Sequence, residues 1–302
     1  MNDHRDDSDN YRDGTDNPRD DTDDHRDYIE ANRAHWDELA EHHPDTDHYD
    51  VESFLAGETT LRKLEREEVD AAGKRLLHLQ CHFGLDTLSW VRDEGAAHAT
   101  GVDFSPTAIE TARELRDRVG IDQKRARFVE SDVYDVPDVL DETFELVVTT
   151  YGTIYWLPEL DPWAEVVATQ LAPGGTFYIA DGHPLSNPFH YESTADDLRL
   201  AHPYFNEAPV VAEGDGSYAG WDFGLDQQRS YGFSHPLGDV ITALVDAGLQ
   251  IDFLHEFPWS FFDRFETMEP DEDDRYWLPG VEYDLPFTFS LRARRPATDG
   301  DS

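Results

Sequence analysis

The chain of 302 residues holds 66 acidic and 24 basic side chains, a formal charge of −42, and only three of the basic residues are lysines, Lys63, Lys74 and Lys124. Nucleic-acid affinity comes largely from lysine and arginine displacing counterions, so this composition argues against nucleic acid and anionic membranes as partners. The 38% hydrophobic and 12% aromatic content still supports a folded core over most of the length, which puts the charge on the surface.

Dense carboxylates with scarce lysine suit a salt-rich cytoplasm, where screening removes most of the self-repulsion, and halophilic adaptation is the expectation. The single cysteine, Cys81, rules out an internal disulfide framework. The opening residues MNDHRDDSDN have no apolar core of a signal peptide, and no run approaches the length of a membrane span. A cytoplasmic location is expected.

Residues 1–27 repeat a seven-residue unit, with Arg5, Arg12, Arg19 and Arg26 in register. Without apolar positions to form a coiled-coil seam, the segment reads as a disordered acidic tail. Residues 28–70 read as two helical pieces, YIEANRAHWDELAEHH and VESFLAGETTLRKLEREEV, forming a cover ahead of the sheet. In the first, Tyr28, Ala31, Ala34, Leu39 and Ala40 would share a stripe with Trp36 beside it. His42, His43, Asp45, Asp47, His48 and Tyr49 gather around the connector; a metal site is conceivable, but without HxxxH or CxxC spacing a polar lid loop is the better reading and no metal is expected.

From Lys74 onward, short apolar runs alternate with helical segments. Strands are predicted at 75–80, 98–103, 127–130, 144–150 and 175–180, with helices at 85–94, 106–119 and 162–172 between them. Ser105 and Pro106 signpost the start of the second helix, and Pro173, Gly174 and Gly175 the end of the third. The alternation lapses over 184–233, an aromatic-rich stretch expected to be an inserted lid or substrate segment. A helix and strand resume in HPLGDVITALVDAGLQIDFLHEF, a last strand follows at 286–294, and 297–302 reads as a polar tail.

The chain is organised around residues 75–103, RLLHLQCHFGLDTLSWVRDEGAAHATGVD. Read as strand, glycine turn, helix, strand and acid, this is one half of a nucleotide-binding α/β sheet. Gly84 and Asp103 stand 19 residues apart, the separation at which an acid closing the second strand reaches a ribose held at the first turn.

The order of LHLQCHFGLDTLSW, TGVDFSPTAIETAREL, YIADGHP, LVDAGLQIDFLHEFPW and LPFTFSLRARRP resembles class I S-adenosylmethionine (SAM)-dependent methyltransferases, more narrowly a bacterial and archaeal small-molecule subgroup, over residues 28–296. The resemblance implies a Rossmann-like α/β fold: a seven-stranded, mostly parallel sheet with helices on both faces and an antiparallel last strand. It implies SAM as cofactor and a small-molecule methyl acceptor.

Carried over by position, Gln80 to Asp86 correspond to the family's glycine-rich turn, acid-x-Gly-x-Gly-x-Gly. Gln80 replaces the acid, His82 the first glycine and Asp86 the third; Gly84 is retained, where a side chain would obstruct backbone approach to the ligand. The resemblance makes Asp103 the ribose acid with Phe104 beside the adenine, and Asp132 the acid facing the adenine amino group with Val133 under the ring. Thr149, Thr150, Tyr151 and Gly152 at the fourth strand's end, then Ile154, Tyr155 and Trp156, would border the sulfonium and acceptor, with Trp36 and Tyr49 folding over the cofactor. His183, just after the fifth strand, and Tyr151 are the catalytic candidates, with His82 a rival base. Aromatics of 189–231 and Trp259 would line the acceptor pocket. A catalytically silent SAM-binding protein and a nicotinamide oxidoreductase are the competing readings; the second lacks GxGxxG support here.

Overall fold

The computed structural model describes residues 25–205, 208–280 and 284–297. The acidic repeat up to residue 24 and the end from residue 298 lie outside the described residues.

Helix α1 (His25–His42), α2 (Val51–Ala56) and α3 (Lys63–Glu68) precede strand β1 (Arg75–Leu79). The alternating unit continues as α4 (Leu85–Arg92), β2 (His98–Asp103), α5 (Pro106–Arg118), β3 (Ala126–Glu130), α6 (Val136–Val139), β4 (Phe144–Thr150), α7 (Leu160–Gln170) and β5 (Leu171–Gly182). Short strands β6 (Val210–Glu213), β7 (Gly216–Ser217), β8 (Gly220–Trp221) and β9 (Arg229–Gly232) follow, then α8 (Leu237–Asp246), β10 (Gln250–Phe257), β11 (Glu269–Pro270), β12 (Tyr276–Trp277) and β13 (Thr288–Arg294). None of the described helices is long and apolar enough to cross a membrane.

Seven strands form one sheet in the order β10-β13-β5-β4-β1-β2-β3. Strands β1 to β5 pair in parallel, and β13 lies antiparallel to both β5 and β10. The expected fold class is therefore the observed one. The two-residue period of a strand explains how both faces are covered. Leu77, Val147, Phe177 and Ile179 pack into one buried layer with Trp163 of α7 and Val240 and Leu244 of α8. Leu76, Leu146, Val148 and Tyr178 point the other way, onto Phe54, Leu88, Trp90 and Leu115. Strand order reverses between β1 and β4, and open α/β sheets bind ligands in the crevice at such a switch point.

Local signals behave as their chemistry dictates in most places. Ser105 Oγ accepts from Ala108 N at 2.9 Å, and Pro106 opens α5. The Pro173-Gly174-Gly175 run is a correction: α7 already ends at Gln170, and the three residues lie in the irregular start of β5, where the register with β4 slips between Phe144 and Leu146. The second helical piece of the cover is also broken in two, because Gly57 takes φ +112° and the chain between 57 and 62 is not helical.

The buried stripe of α1 is Asn32, His35, Leu39 and Ala40: Leu39 and Ala40 are as expected, while Tyr28 and Ala31 are only half-buried and Ala34 is exposed. Polar Asn32 is buried because it acts as a strand neighbour: its amide donates to Tyr231 O and its Oδ1 accepts from Tyr231 N, both at 2.8 Å. His35 Nδ1 meets Gln227 O at 2.8 Å, and Glu38 accepts from the backbone of Asp226 and Gln227. Side chains of α1 thus tether the 225–231 segment, a long-range role that hydrophobic periodicity does not report. Beyond β10, Phe265, Met268, Leu278 and Phe287 form a small core of their own.

Candidate functional site

The turn after β1 is tightly wound. Gln80, His82 and Gly84 all take positive φ, at 54°, 49° and 78°. For a residue with a Cβ, this region costs roughly 1–2 kcal/mol, so His82 needs compensation. Its backbone N donates to Asp103 Oδ2 at 2.7 Å, and its ring meets His43 Nδ1 through Nε2 at 2.9 Å. His43, fully buried, reaches on to Ser217 Oγ at 2.8 Å. Burial holds the His43 imidazole down to about 2 and His82 to about 3, so the pair is neutral and one ring donates to the other.

Gly84 has a packing role that the sequence did not announce. A Cβ there would come within 2.4 Å of the Phe128 ring and 3.1 Å of Ala112 Cβ. The glycine lets α4 close onto β3 and α5.

Asp103 ends β2 at 8% exposure, with Oδ1 accepting from Ser105 N at 3.0 Å and Oδ2 from His82 N. Burial pushes its carboxyl up to about 6 in spite of these donors. A carboxylate offers about four acceptor sites, which the backbone donors of His82, Ser105 and Phe104 do not all fill. Asp132 follows β3, accepts from Tyr134 N at 3.0 Å, and is also raised by burial. Gln80 donates from Nε2 to Thr153 O at 3.1 Å, while its buried Oε1 has no partner. Trp36 Nε1 is likewise buried without an acceptor.

One cavity of about 1800 Å³ has Gln80, His82, Gly84, Asp86, Asp103, Phe104, Asp132, Val133, Trp36 and Tyr151 all on its wall. Asp86 accepts from Thr60 Oγ1 at 2.6 Å. Trp36 lies against His43, His82, Trp156 and Tyr218, with ring centroids 5.2–6.3 Å apart, and the Tyr49 and Tyr218 hydroxyls bond to each other. Of the aromatics in 189–231, Phe189, Tyr191, Tyr218 and Trp221 reach the cavity.

Four expectations fail. His183 does not line the cavity: its Nδ1 accepts from Leu185 N at 3.1 Å and caps the turn at Pro184–Ser186, while Nε2 meets Glu256 Oε1 at 2.9 Å. With both ring nitrogens engaged away from the cavity, its geometry is that of a structural hydrogen-bonder. Thr149 points into the core and donates to Leu79 O, whereas Thr150, one residue on and on the opposite face of the strand, lines the cavity. Trp259 packs against Phe257, and Phe261 and Phe262 take the place assigned to it. Phe205 is 79% exposed, outside the site.

Sequence reading missed two acids. Asp181, buried, accepts from the backbone N of Gly152, Thr153, Ile154 and Gly182 at 2.6–3.2 Å and shapes the loop after β4. Its position at the end of β5 in ADGHP was the available signal. Glu65 of α3, 1% exposed, accepts from the Tyr151 hydroxyl at 2.6 Å, and nothing in LEREE separates it from the acids around it.

The cavity thus offers an incoming donor an unpartnered carbonyl oxygen on Gln80 and a buried carboxyl at the end of β2. Residues 76–175 match a family described as "Methyltransferase domain". Erythromycin 3''-O-methyltransferase of Saccharopolyspora erythraea is 28% identical over 113 residues, 37% of this chain and 36% of that protein. The phthiotriol/phenolphthiotriol dimycocerosates methyltransferase of Mycobacterium leprae is 26% identical over 133 residues, 44% and 47% of the two chains. The chain thus spans only a third to a half of the length of these curated relatives. Among solved structures, one from Listeria monocytogenes described as an S-adenosylmethionine-dependent methyltransferase superposes with TM-score 0.52 at 16% identity, covering 77% of this chain and 96% of that one. A Methanosarcina mazei protein described as a SAM-dependent methyltransferase gives TM-score 0.50 at 14% identity over 78% and 99%. At these identities the likeness is one of fold.

Proposed function

Because the chain carries a class I SAM-dependent methyltransferase domain, we propose that it transfers the methyl group of SAM to a small-molecule acceptor. The observation that carries this is the group of residues at the switch point: Asp103 with acceptor capacity left beside its backbone donors, Asp132 beside Val133, and the unpartnered Gln80 Oε1, all on one cavity. In this reading Asp103 accepts from the ribose hydroxyls, Asp132 from the adenine amino group, and Gln80 from the methionine ammonium in place of the family's acid. Phe104 and Val133 flank the adenine, and His82, Asp86 and Trp36 close the methionine end.

SAM supplies an electrophilic methyl carbon on sulfur. The protein's part is alignment and exclusion of water, worth up to ~7–11 kcal/mol when the geometry is near attack. A cavity of about 1800 Å³ exceeds the ~300–1000 Å³ of one ordinary ligand site, so it accommodates cofactor and acceptor together. The acceptor side is walled by Tyr151, Phe261, Phe262, Phe189 and Tyr191, which favours a small, partly apolar molecule over a protein tail or nucleic acid. We place the methyltransferase domain at 28–296, with 28–70 and 184–233 as cover and substrate segments. The acidic surface is read as adaptation to a salt-rich cytoplasm.

Calorimetry with SAM and NAD tests the assignment. SAM should bind, and Asp103→Ala should weaken it by about 1–3 kcal/mol through lost buried hydrogen bonds. Tight NAD binding without SAM binding would overturn it. Production of S-adenosylhomocysteine from a cellular metabolite pool distinguishes catalysis from silent SAM binding.

A further inference from the structure

Among the acids of α3, Glu65 is the one buried at 1% exposure. Its Oε1 accepts from Arg62 N at 2.6 Å, capping the helix, and its Oε2 accepts from the Tyr151 hydroxyl at 2.6 Å. Capping alone does not account for the burial. A cap returns about 1 kcal/mol, whereas desolvating a carboxylate costs several. Tyr151 stands on the cavity wall and Glu65 lies behind it, away from the cavity. The Arg62 guanidinium lies 5.6 Å from the centre of the Tyr151 ring, and Phe261 covers the ring at 4.8 Å.

We propose that Tyr151 and Glu65 form a proton relay that takes the proton of a hydroxyl acceptor during methyl transfer, which makes the acceptor an alcohol or phenol. The inference rests on the methyltransferase reading above. The acceptor oxygen bonds to the methyl carbon as the carbon–sulfur bond breaks and its electron pair goes to sulfur. The acceptor proton moves to Tyr151 Oη, and the Tyr151 proton to Glu65 Oε2. The products are a methyl ether, a neutral thioether and a neutral carboxyl; after product leaves, the pair returns its proton through Tyr151 to water in the cavity. An amine acceptor would need no such pair, since it attacks through a free lone pair and sheds its proton afterwards.

Electrostatics support the arrangement. Burial pushes the Glu65 carboxyl from 4.5 up to about 7, with the Tyr151 hydrogen bond opposing and Asp86 of α4 adding to the rise. Burial and the charge of Glu65 raise the Tyr151 hydroxyl well above its usual value, Tyr178 of β5 adds to this, and Arg62 acts against it. Glu68, the other acid facing this cluster, is bound to the Tyr178 hydroxyl at 2.9 Å and His255 at 2.7 Å. Tyr151 therefore does not lose its proton by itself and hands it on only as it receives another. Glu65 acts through Tyr151 and is a positioning residue; Tyr151 is the catalytic one.

The test compares wild type, Glu65→Gln, Glu65→Asp and Tyr151→Phe. Glutamine keeps the cap and the tyrosine contact while removing the base. Difference infrared spectra of the SAM-bound protein should show a protonated carboxyl, lost in Glu65→Gln, that titrates near neutrality and moves in Tyr151→Phe. A Glu65 that stays ionised down to about pH 5, near an unperturbed glutamate, overturns the relay. S-adenosylhomocysteine formation with the small-molecule fraction of a cell extract should rise with pH to a plateau. Glu65→Gln should lower the plateau about 100-fold and remove the inflection, Glu65→Asp should restore part of it, and SAM affinity should hold within about twofold. An unaltered rate and profile in Glu65→Gln at intact SAM affinity overturns the relay alone. Absence of SAM binding by wild type overturns the parent reading and the relay with it.

Discussion

Substituting Gly84 by alanine separates two roles for the glycine of the first turn. The structure predicts two costs. One is the left-handed backbone at φ +78°, roughly 1–2 kcal/mol for a residue with a Cβ. The other is overpacking against the Phe128 ring, whose nearest atom would lie 2.4 Å from the new methyl, about 1–3 kcal/mol. Together they give about 2–5 kcal/mol in urea unfolding, a large share of a domain's stability. The second cost belongs to one contact, so a double-mutant cycle isolates it. In a Phe128→Leu background, Gly84→Ala should cost only about 1–2 kcal/mol, since the ring edge is gone and the backbone penalty remains. The folded fraction of Gly84→Ala should still bind SAM close to wild type in calorimetry. Equal costs in both backgrounds, or lost SAM affinity at unchanged stability, would refute the packing account and restore the ligand-approach one.

Glu65→Gln should be more favourable to stability in alkaline than in acid solution: a folded-state carboxyl raised from 4.5 to about 7 leaves wild-type stability intact below the lower value and erodes it as pH rises through the upper. That erosion reaches about 3 kcal/mol and is absent in the glutamine variant, so urea unfolding of the pair at about pH 4 and pH 9 should diverge by up to this amount; parallel pH curves would contradict the buried titration. His183→Asn should lower the melting temperature through loss of the Glu256 contact while turnover per folded molecule stays near wild type, and a loss of turnover beyond the loss of fold would return His183 to the reaction. Raising KCl from millimolar to molar should raise the melting temperature if screening relieves the charge of −42, and an unresponsive transition would remove the halophilic reading.

The sheet was legible because its signals are local. Short apolar runs bounded by glycine, proline and capping residues identified all seven strands, and the acids closing β2 and β3 line the cavity as their positions imply. The errors sit where a side chain's direction depends on distant residues or on strand parity. Thr149 and Thr150 differ by one residue, and only the second shares the face of Val148; a strand's two-residue period makes that difference decisive. His183 is drawn off the cavity by Glu256, 73 residues away on β10. Asn32 and His35 are buried by backbone partners 199 and 192 residues on, so their polarity misled the stripe assignment on α1.

Charge explains the remaining gap. In a chain with 66 acids, a carboxylate carries almost no information by its presence, because nearly all of the described ones keep access to solvent. What distinguishes Asp103, Asp181 and Glu65 is desolvation, 8%, 3% and 1% exposed, and desolvation is a property of the fold. Asp103 and Asp181 betray themselves partly by standing at strand ends, where the topology puts the crevice. Glu65 has no such mark: it lies on a six-residue helix among Glu67 and Glu68, and becomes exceptional only when β4 brings Tyr151 to it across 86 residues. In a chain this acidic, a functional carboxylate is therefore recognised by the uncharged hydroxyl or backbone donor it has exchanged for water, not by its own charge.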